Sequence, residues 1–188
     1  MLILFNKPFE VICQFSAHPT RPTLANHVDI PGIYPAGRLD ADSEGLILLT
    51  DDGKLQHAIA DPRRKQPKTY LAQVEGKVSR EQLDLLEGGL DLGDFTTAPC
   101  QATAAMEPAW LWPRHPPVRQ RATQPTSWLV LRLTEGKNRQ VRRMTAAVGL
   151  PTLRLVRVAI GPFSLERHHL LPGEWQEVSP EALGPVPG

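Results

Sequence analysis

Residues 37–53 read GRLDADSEGLILLTDDG and carry the clearest structural signal in the chain. The run at residues 45–50 is short, apolar and uninterrupted, which is typical of a strand buried on both faces. Residues 51–53 predict a turn after it, and an acidic loop at residues 37–44 precedes it. Loops at strand ends commonly carry catalytic side chains. The acidic candidates in this loop are Asp40, Asp42 and Glu44.

The residue types in this loop leave several functions open. A glycosidase uses two neighbouring carboxylates as acid and base or nucleophile, and a hard metal ion binds clustered carboxylates. An acidic turn that only faces solvent would have the same composition. The loop therefore identifies a candidate site at Asp40, Asp42 and Glu44 without choosing its chemistry.

Residue patterns along the rest of the chain predict an α+β fold with a mostly antiparallel sheet and few helices. Ser79 and Gln82 match a helix capping box, and residues 128–133 are a clear strand pattern. The apolar start at residues 1–8 is too short for a signal peptide and is predicted as the first strand. Further strands are predicted at residues 69–76, 152–160 and 175–178, and an extended segment at 98–105. Helices are predicted at 54–60, 79–88 and 138–148, the last capped by Asn138.

The 188 residues include 21 Lys and Arg against 20 Asp and Glu, so the net charge of +1 does not by itself indicate a nucleic-acid partner. The basic residues are instead concentrated at residues 63–68 and 132–157. Such local patches suit a polyanion bound in one place, and a solvated charged surface is the alternative. No apolar run approaches 18 residues, so no membrane span is predicted.

Cysteine and histidine placement predicts neither disulfides nor a metal site. Cys13 and Cys100 are far apart in the sequence and no C-x-x-C motif occurs, which favours a reducing cytoplasm. The histidines do not follow metal-ligand spacing. The adjacent pair His168-His169 is predicted to lie at the surface.

A helical wheel of residues 139–148 separates charge from apolar side chains. Arg139, Arg142 and Arg143 fall on one side, and Lys137 adds charge at the helix N-terminus, where free N–H groups favour an anion. This pattern predicts a phosphate-binding surface; a basic face that only meets solvent is the alternative. The opposite, apolar side consists of Val141, Met144 and Val148.

The Pro-rich segment, residues 108–126, contains five prolines, three arginines, Trp110 and Trp112. It predicts a long irregular connection between two strands rather than a domain boundary. Trp and Arg can stack on bases, so contact with RNA is one interpretation. A surface loop with its tryptophans packed down is the other.

Four motifs, in the family's own order, resemble the RsuA family of ribosomal pseudouridine synthases. Residues 37–53 resemble G-R-L-D-x-D-[ST]-E-G-L-L-L-L-T-x-D-G, and Asn6-Lys7-Pro8 resembles the opening N-K-P. Lys68-Thr69-Tyr70 resembles the second motif, K-x-Y, and residues 135–144 resemble the third, E-G-K-x-x-Q-[VI]-[KR]-R-M. The resemblance covers residues 2–178. With so few residues before Asn6, the chain is most similar to large-subunit members that have no separate N-terminal RNA-binding domain.

The resemblance implies a pseudouridine synthase catalytic domain at residues 1–180, followed by a frayed tail at 181–188. The implied fold is a curved, mixed, mostly antiparallel sheet, with two subdomains around a central RNA-binding cleft. The implied reaction is isomerisation of one uridine in large-subunit (23S) ribosomal RNA or its precursor, by a cytoplasmic monomer. No redox change or group donor is needed, so no cofactor is expected. A ribosome-assembly factor that only binds RNA is the alternative.

The resemblance also assigns residues to roles. Asp40 is expected to be the nucleophile, Arg142 the cation that keeps it ionised, and Tyr70 the ring that stacks on uracil. Arg38 is expected to fill the gap left by a flipped-out nucleotide. Asp42 and Glu44 are expected to shape the loop. The remaining basic residues expected to contact the substrate are Lys68, Lys137, Arg139, Arg143, Arg63 and Arg64.

Overall fold

The computed structural model describes residues 1–64 and 66–184. Its strands and helices confirm the predicted α+β class. In chain order they are β1 (Leu2–Lys7), β2 (Tyr34–Pro35), β3 (Glu44–Thr50), α1 (Gly53–Ala60), β4 (Lys68–Glu75), α2 (Arg80–Gly88), β5 (Gln101–Ala105), β6 (Thr126–Leu133), α3 (Gln140–Ala147), β7 (Thr152–Ile160), β8 (Phe163–Ser164), α4 (Leu165–His168) and β9 (Trp175–Val178). Short 3-10 turns occur at Leu24–Asn26, Pro62–Arg64 and Pro180–Leu183.

The chain forms two compact units. The first unit contains Met1–Gln66 together with the described residues from Arg157 onward, and the second contains Pro67–Val156. The boundary falls within β7, whose first five residues belong to the second unit and whose last four belong to the first. The acidic loop is therefore part of the first unit, and the basic helix α3 is part of the second.

The first unit is organised around β1 and β3, whose residues are all buried. The two strands pair antiparallel over six positions, with Ile3 opposite Leu49 and Phe5 opposite Ile47, and β9 pairs antiparallel with the other edge of β1. Alternate side chains of both strands enter one apolar cluster. That cluster also contains Leu39, so the acidic loop is anchored in the core immediately before Asp40.

The second unit pairs β6 antiparallel with β4 on one side and with β5 on the other. Helix α2 begins at the predicted capping box, in which the Ser79 hydroxyl accepts the Gln82 N–H and the Gln82 side chain accepts the Ser79 N–H. Its Leu83 and Leu86 pack into the cluster formed by the inward faces of β4 and β6. Helix α3 adds Val141 and Met144 to that cluster, which confirms the predicted apolar side.

Two sequence predictions differ from the structure. Helix α3 starts at Gln140, and its N-cap is Arg139 in a left-handed conformation rather than Asn138. Arg139 therefore lies outside the helical wheel that grouped it with Arg142 and Arg143. The extended segment predicted at 98–105 forms a strand only from Gln101. In the segment predicted as a frayed tail from residue 181, Pro180–Leu183 is a 3-10 turn with Leu183 buried, and residues 185–188 lie outside the described part of the chain.

Gly45, the second residue of β3, is required by close packing inside the first unit. Its φ is +113°, and a Cβ built on it would lie 2.3 Å from the carbonyl oxygen of Arg157. Backbone cannot move aside as a flexible side chain can, so both the conformation and the contact exclude other residues. Gly32 has a similar conformation, with φ +74°, but nothing within 4 Å of its Cβ position.

Gly45→Ala should therefore lower the free energy of unfolding by on the order of 3 kcal/mol or more, because strain and overlap act together. Gly32→Ala should lower the free energy of unfolding by only about 1 kcal/mol, because it introduces conformational strain without a steric overlap. Urea unfolding of both variants measures the difference. Equal losses would mean that the close approach to Arg157 does not matter.

Candidate active site

The acidic loop of the first unit presents its side chains in alternation. Leu39 is buried in the core, Arg38 is exposed, and Asp40 is half-buried. The Asp40 carbonyl accepts the Ser43 N–H at 3.1 Å, which closes a tight turn. Ser43 and Glu44 are almost completely buried beneath this turn. Asp40 is therefore the first residue of a closed turn, directly after a residue that is anchored in the core.

Lys7, at the end of β1, holds the middle of this loop. Its side chain is fully buried, and Nζ donates to the carbonyl oxygens of Pro8 at 2.9 Å, Val11 at 2.8 Å and Ala41 at 3.3 Å. The Glu10 N–H also donates to the Ala41 oxygen, at 2.8 Å. An ammonium group has three N–H donors, so each can meet one of these carbonyls. Burial lowers the pKa of Lys7 to about 8, so at neutral pH it still carries its proton.

Arg157 holds the two ends of the same loop. The guanidinium is buried, with Nε donating to the Leu46 oxygen at 2.7 Å and Nη1 to the Arg38 oxygen at 3.3 Å. The sequence analysis placed Lys7 in the opening motif and Arg157 in the basic region at residues 132–157, but predicted for neither a contact with the acidic loop. A signal for burial was present, since each is a cation in a largely apolar strand, where an unpaired charge is costly.

Two polar side chains fix the start of α3 in the second unit. The Gln140 amide donates from Nε2 to Glu135 Oε2 at 2.7 Å, and its Oε1 accepts the Lys137 N–H at 3.1 Å. Glu135 Oε2 also accepts the Ala98 N–H at 3.0 Å. The third motif thus contains its own scaffold: Glu135 and Gln140 shape the turn from which the basic residues project.

The basic residues around α3 differ in how they are held. Lys137 Nζ lies 4.6 Å from the centre of the Phe95 ring, and the Arg143 guanidinium carbon lies 5.2 Å from it. Arg143 also forms an ion pair with Asp94 and donates to the Leu92 oxygen at 3.1 Å. This ion pair lowers the pKa of the Asp94 carboxyl. Arg143 therefore anchors the loop before β5, in addition to adding positive charge.

The other predicted residues of the second unit lie on its strands and on α3. Tyr70 is buried in the core cluster and pairs with Leu131 across β4 and β6. Arg142 is half-buried on α3. Lys68 lies close to the turn of the third motif. A Cβ atom placed on Gly136, in that turn, would be 3.8 Å from the Nζ of Lys68. The second and third motifs are therefore neighbours within this unit.

The basic group near residue 63 belongs to the first unit. Arg63 is highly exposed and forms a bidentate ion pair with Asp61, with Nε–Oδ1 at 3.0 Å and Nη2–Oδ2 at 2.8 Å. This pair lowers the pKa of the Asp61 carboxyl to about 2. Arg64 is half-buried, and Lys65 lies outside the described residues.

The described part of the chain contains neither a cluster of metal ligands nor a helix that could span a membrane. In residues 1–64 and 66–184, no three His, Cys, Asp or Glu side chains are grouped so that they could hold a metal ion. None of the helices in those ranges is long and apolar enough to cross a membrane.

Comparison with known proteins identifies the family. The sequence profile of RNA pseudouridylate synthase matches residues 1–147. The chain belongs to this family. Family membership selects pseudouridine synthesis among the chemistries that the acidic loop alone left open, and the protein is an enzyme that isomerises uridine to pseudouridine.

The similarity to individual relatives extends over almost the whole chain. The chain is 55% identical to ribosomal large subunit pseudouridine synthase E of Xanthomonas campestris pv. campestris, over 99% of this chain and 100% of the relative. It is 50% identical to the enzyme of the same name from Vibrio vulnificus, over 95% of this chain and 75% of the relative. A crystal structure of a pseudouridylate synthase matches with a TM-score of 0.78 and 27% identity, covering 98% of this chain and 73% of that one.

The lowered pKa of Lys7 predicts a rise in stability at alkaline pH. The folded protein releases this proton near pH 8, whereas the ordinary pKa of a lysine side chain is 10.5. Between these values the unfolded chain binds more protons, so stability increases with pH through this interval and then levels off. The free energy of unfolding of the parent, minus that of Lys7→Met, should increase by about 3 kcal/mol from pH 8 to 10.5. A difference that stays constant with pH would show that Lys7 titrates normally.

Proposed function

We propose that this enzyme converts one uridine of large-subunit ribosomal RNA, or of its precursor, to pseudouridine. The observation that carries the proposal is the high identity to two large-subunit enzymes over 99% and 95% of this chain. A substrate of this kind implies a cytoplasmic enzyme. The two local basic groups suit a polyanionic RNA, since cationic side chains gain affinity by releasing its counterions.

The reaction exchanges one glycosidic bond for another. The bond between uracil N1 and ribose C1′ breaks, the base rotates, and C5 forms a bond to C1′. The proton on C5 then leaves, and N1 ends with a proton. The overall change is an isomerisation that needs neither an oxidant nor a group donor.

Asp40 is the proposed catalytic carboxylate. Its half-buried position at the start of a tight turn supports this role, because a catalytic group must be fixed in position before the substrate arrives. Arg38 is exposed two residues earlier and would fill the space that a flipped-out nucleotide leaves in the RNA. Asp42 and Glu44 shape the loop.

Tyr70 and Arg142 are the proposed partners of Asp40 in the reaction. Tyr70 offers a flat ring to the uracil and a hydroxyl for the proton that leaves C5. Arg142 supplies the positive charge that keeps a desolvated Asp40 ionised. The match of residues 135–144 to the third family motif supports this role, since Arg142 lies at the motif position expected to carry the cation.

The remaining basic residues are proposed as phosphate contacts, which add affinity without sequence choice. For Arg63 and Arg143, a phosphate would have to compete with Asp61 or Asp94. The other members of this set are Arg64, Lys68, Lys137 and Arg139.

Asp40→Asn should abolish turnover while leaving folding and RNA binding nearly unchanged, because the amide keeps the size and loses the charge. The assay is tritium release from large-subunit ribosomal RNA that carries 5-³H-uridine. Asp42→Asn is the matched control and should remain active. Turnover of Asp40→Asn within about tenfold of the parent would contradict the nucleophile assignment.

The same assay separates the functional classes. Tritium release with an intact RNA chain and no free base means pseudouridylation. A base released from the sugar would indicate a glycosidase. Binding without either product would leave only an RNA-binding protein.

Arg142→Ala should lose rate rather than affinity, and Arg143→Ala should lose affinity rather than rate. Without its cation, Asp40 would have a raised pKa, so the rate of Arg142→Ala should recover partly as pH rises. Single-turnover rates and dissociation constants of both variants, measured from pH 6 to 9, test this. Equal losses of affinity alone would make Arg142 another phosphate contact.

A further inference from the structure

Two buried arginines lie three residues apart on β7. Arg154 and Arg157 each have only 4% of their surface exposed. Burying a guanidinium is costly unless its donors find good acceptors. The acceptors of these two side chains therefore show what each one stabilises.

Arg157 joins the two ends of the acidic loop. Its Nη1 donates to Arg38, two residues before Asp40, and its Nε donates to Leu46, six residues after it. The backbone of Arg157 also lies against Gly45, where no Cβ could fit. A single residue thus restrains residues 38–46 through one side chain and one backbone contact.

We propose that Arg157 is a positioning residue for the reaction: it holds residues 38–46 in one conformation, so that the Asp40 carboxylate is in place before the substrate binds. This inference rests on the proposed role of Asp40. It assigns Arg157 no contact with the substrate.

The guanidinium group suits this role better than an ammonium group. Its N–H donors form a rigid planar fork, so Nε and Nη1 keep a fixed angle between the two carbonyls that they bind. A lysine would keep the positive charge but could not hold both oxygens in this geometry. Arg157→Lys therefore changes the restraint on the loop while keeping the charge and most of the side-chain volume.

Arg154 provides a matched control within the same strand. It is equally buried, donates from Nη2 to the Trp112 oxygen at 2.9 Å, and has its guanidinium carbon 5.8 Å from the centre of the Trp112 ring. Two of its contacts are with Trp112, in the Pro-rich segment of the second unit. Arg154→Lys should therefore disturb folding about as much as Arg157→Lys, while the hydrogen bonds from Arg157 to Arg38 and Leu46 stay in place.

The test compares Arg157→Lys, Arg154→Lys and Asp40→Asn as full-length proteins. Unfolding by urea, the dissociation constant for ribosomal RNA and the single-turnover rate at saturating enzyme are measured for each. Arg157→Lys should react about 100-fold more slowly with a nearly unchanged dissociation constant, because a misplaced catalytic group lowers the rate and leaves binding intact. Arg154→Lys should react within about threefold of the parent at a similar loss of stability.

A folded Arg157→Lys that reacts at the parental rate would overturn the proposal, as would an equal loss of rate in Arg154→Lys. If Arg157→Lys does not fold, Arg157→Gln keeps an N–H donor without a buried charge, and the same slow reaction with intact binding is expected. The Asp40→Asn variant distinguishes a failure of the positioning role of Arg157 from a failure of the nucleophile assignment of Asp40. Full activity of Asp40→Asn rejects the nucleophile, whereas an inactive Asp40→Asn beside a fully active Arg157→Lys rejects only the positioning role.

Discussion

Donation from buried cations to backbone carbonyls is the interaction on which the first unit depends. Lys7 binds the carbonyl of Ala41, and Arg157 binds those of Arg38 and Leu46, so an irregular loop is held at three points. Carbonyl oxygens buried without donors would be destabilising, as would the two buried charges alone. Each therefore requires the other. Apolar packing of Leu39 adds a fourth restraint on the same loop.

In the second unit, neutral and acidic groups hold the charged side chains in position. Glu135 and Gln140 form a hydrogen-bonded turn before α3, while Phe95 and Asp94 hold two of the neighbouring cations. Like charges repel one another, so a basic surface needs such support to keep its side chains in order. Both units thus use buried or partly buried polar contacts to fix charged residues that belong to family motifs.

Local signals in the sequence predicted much of this fold. The uninterrupted apolar run predicted β3, the capping box predicted the start of α2, and helical spacing predicted the apolar side of α3. The left-handed conformation of Arg139 could not be predicted, because non-glycine residues adopt it only when their surroundings impose it. The contacts of Lys7 and Arg157 with the acidic loop could not be predicted for another reason. Their acceptors are backbone atoms, 111 and 119 residues distant for Arg157, and main-chain oxygens look the same in every sequence. The resemblance to the family, rather than spacing, supplied the roles of Tyr70 and Arg142.

Anchoring through main-chain oxygens leaves the loop tolerant of exchange at its surface. The Ala41 oxygen accepts from Lys7 and from the Glu10 N–H whatever side chain residue 41 carries. Positions 38 and 41 can therefore diverge, or be redesigned for a different RNA, while the path of the backbone stays the same. Residues 39 and 45 have no such freedom, since one fills the core and the other has no room for a Cβ. The loop thus separates the positions that define its shape from those that can adapt its specificity.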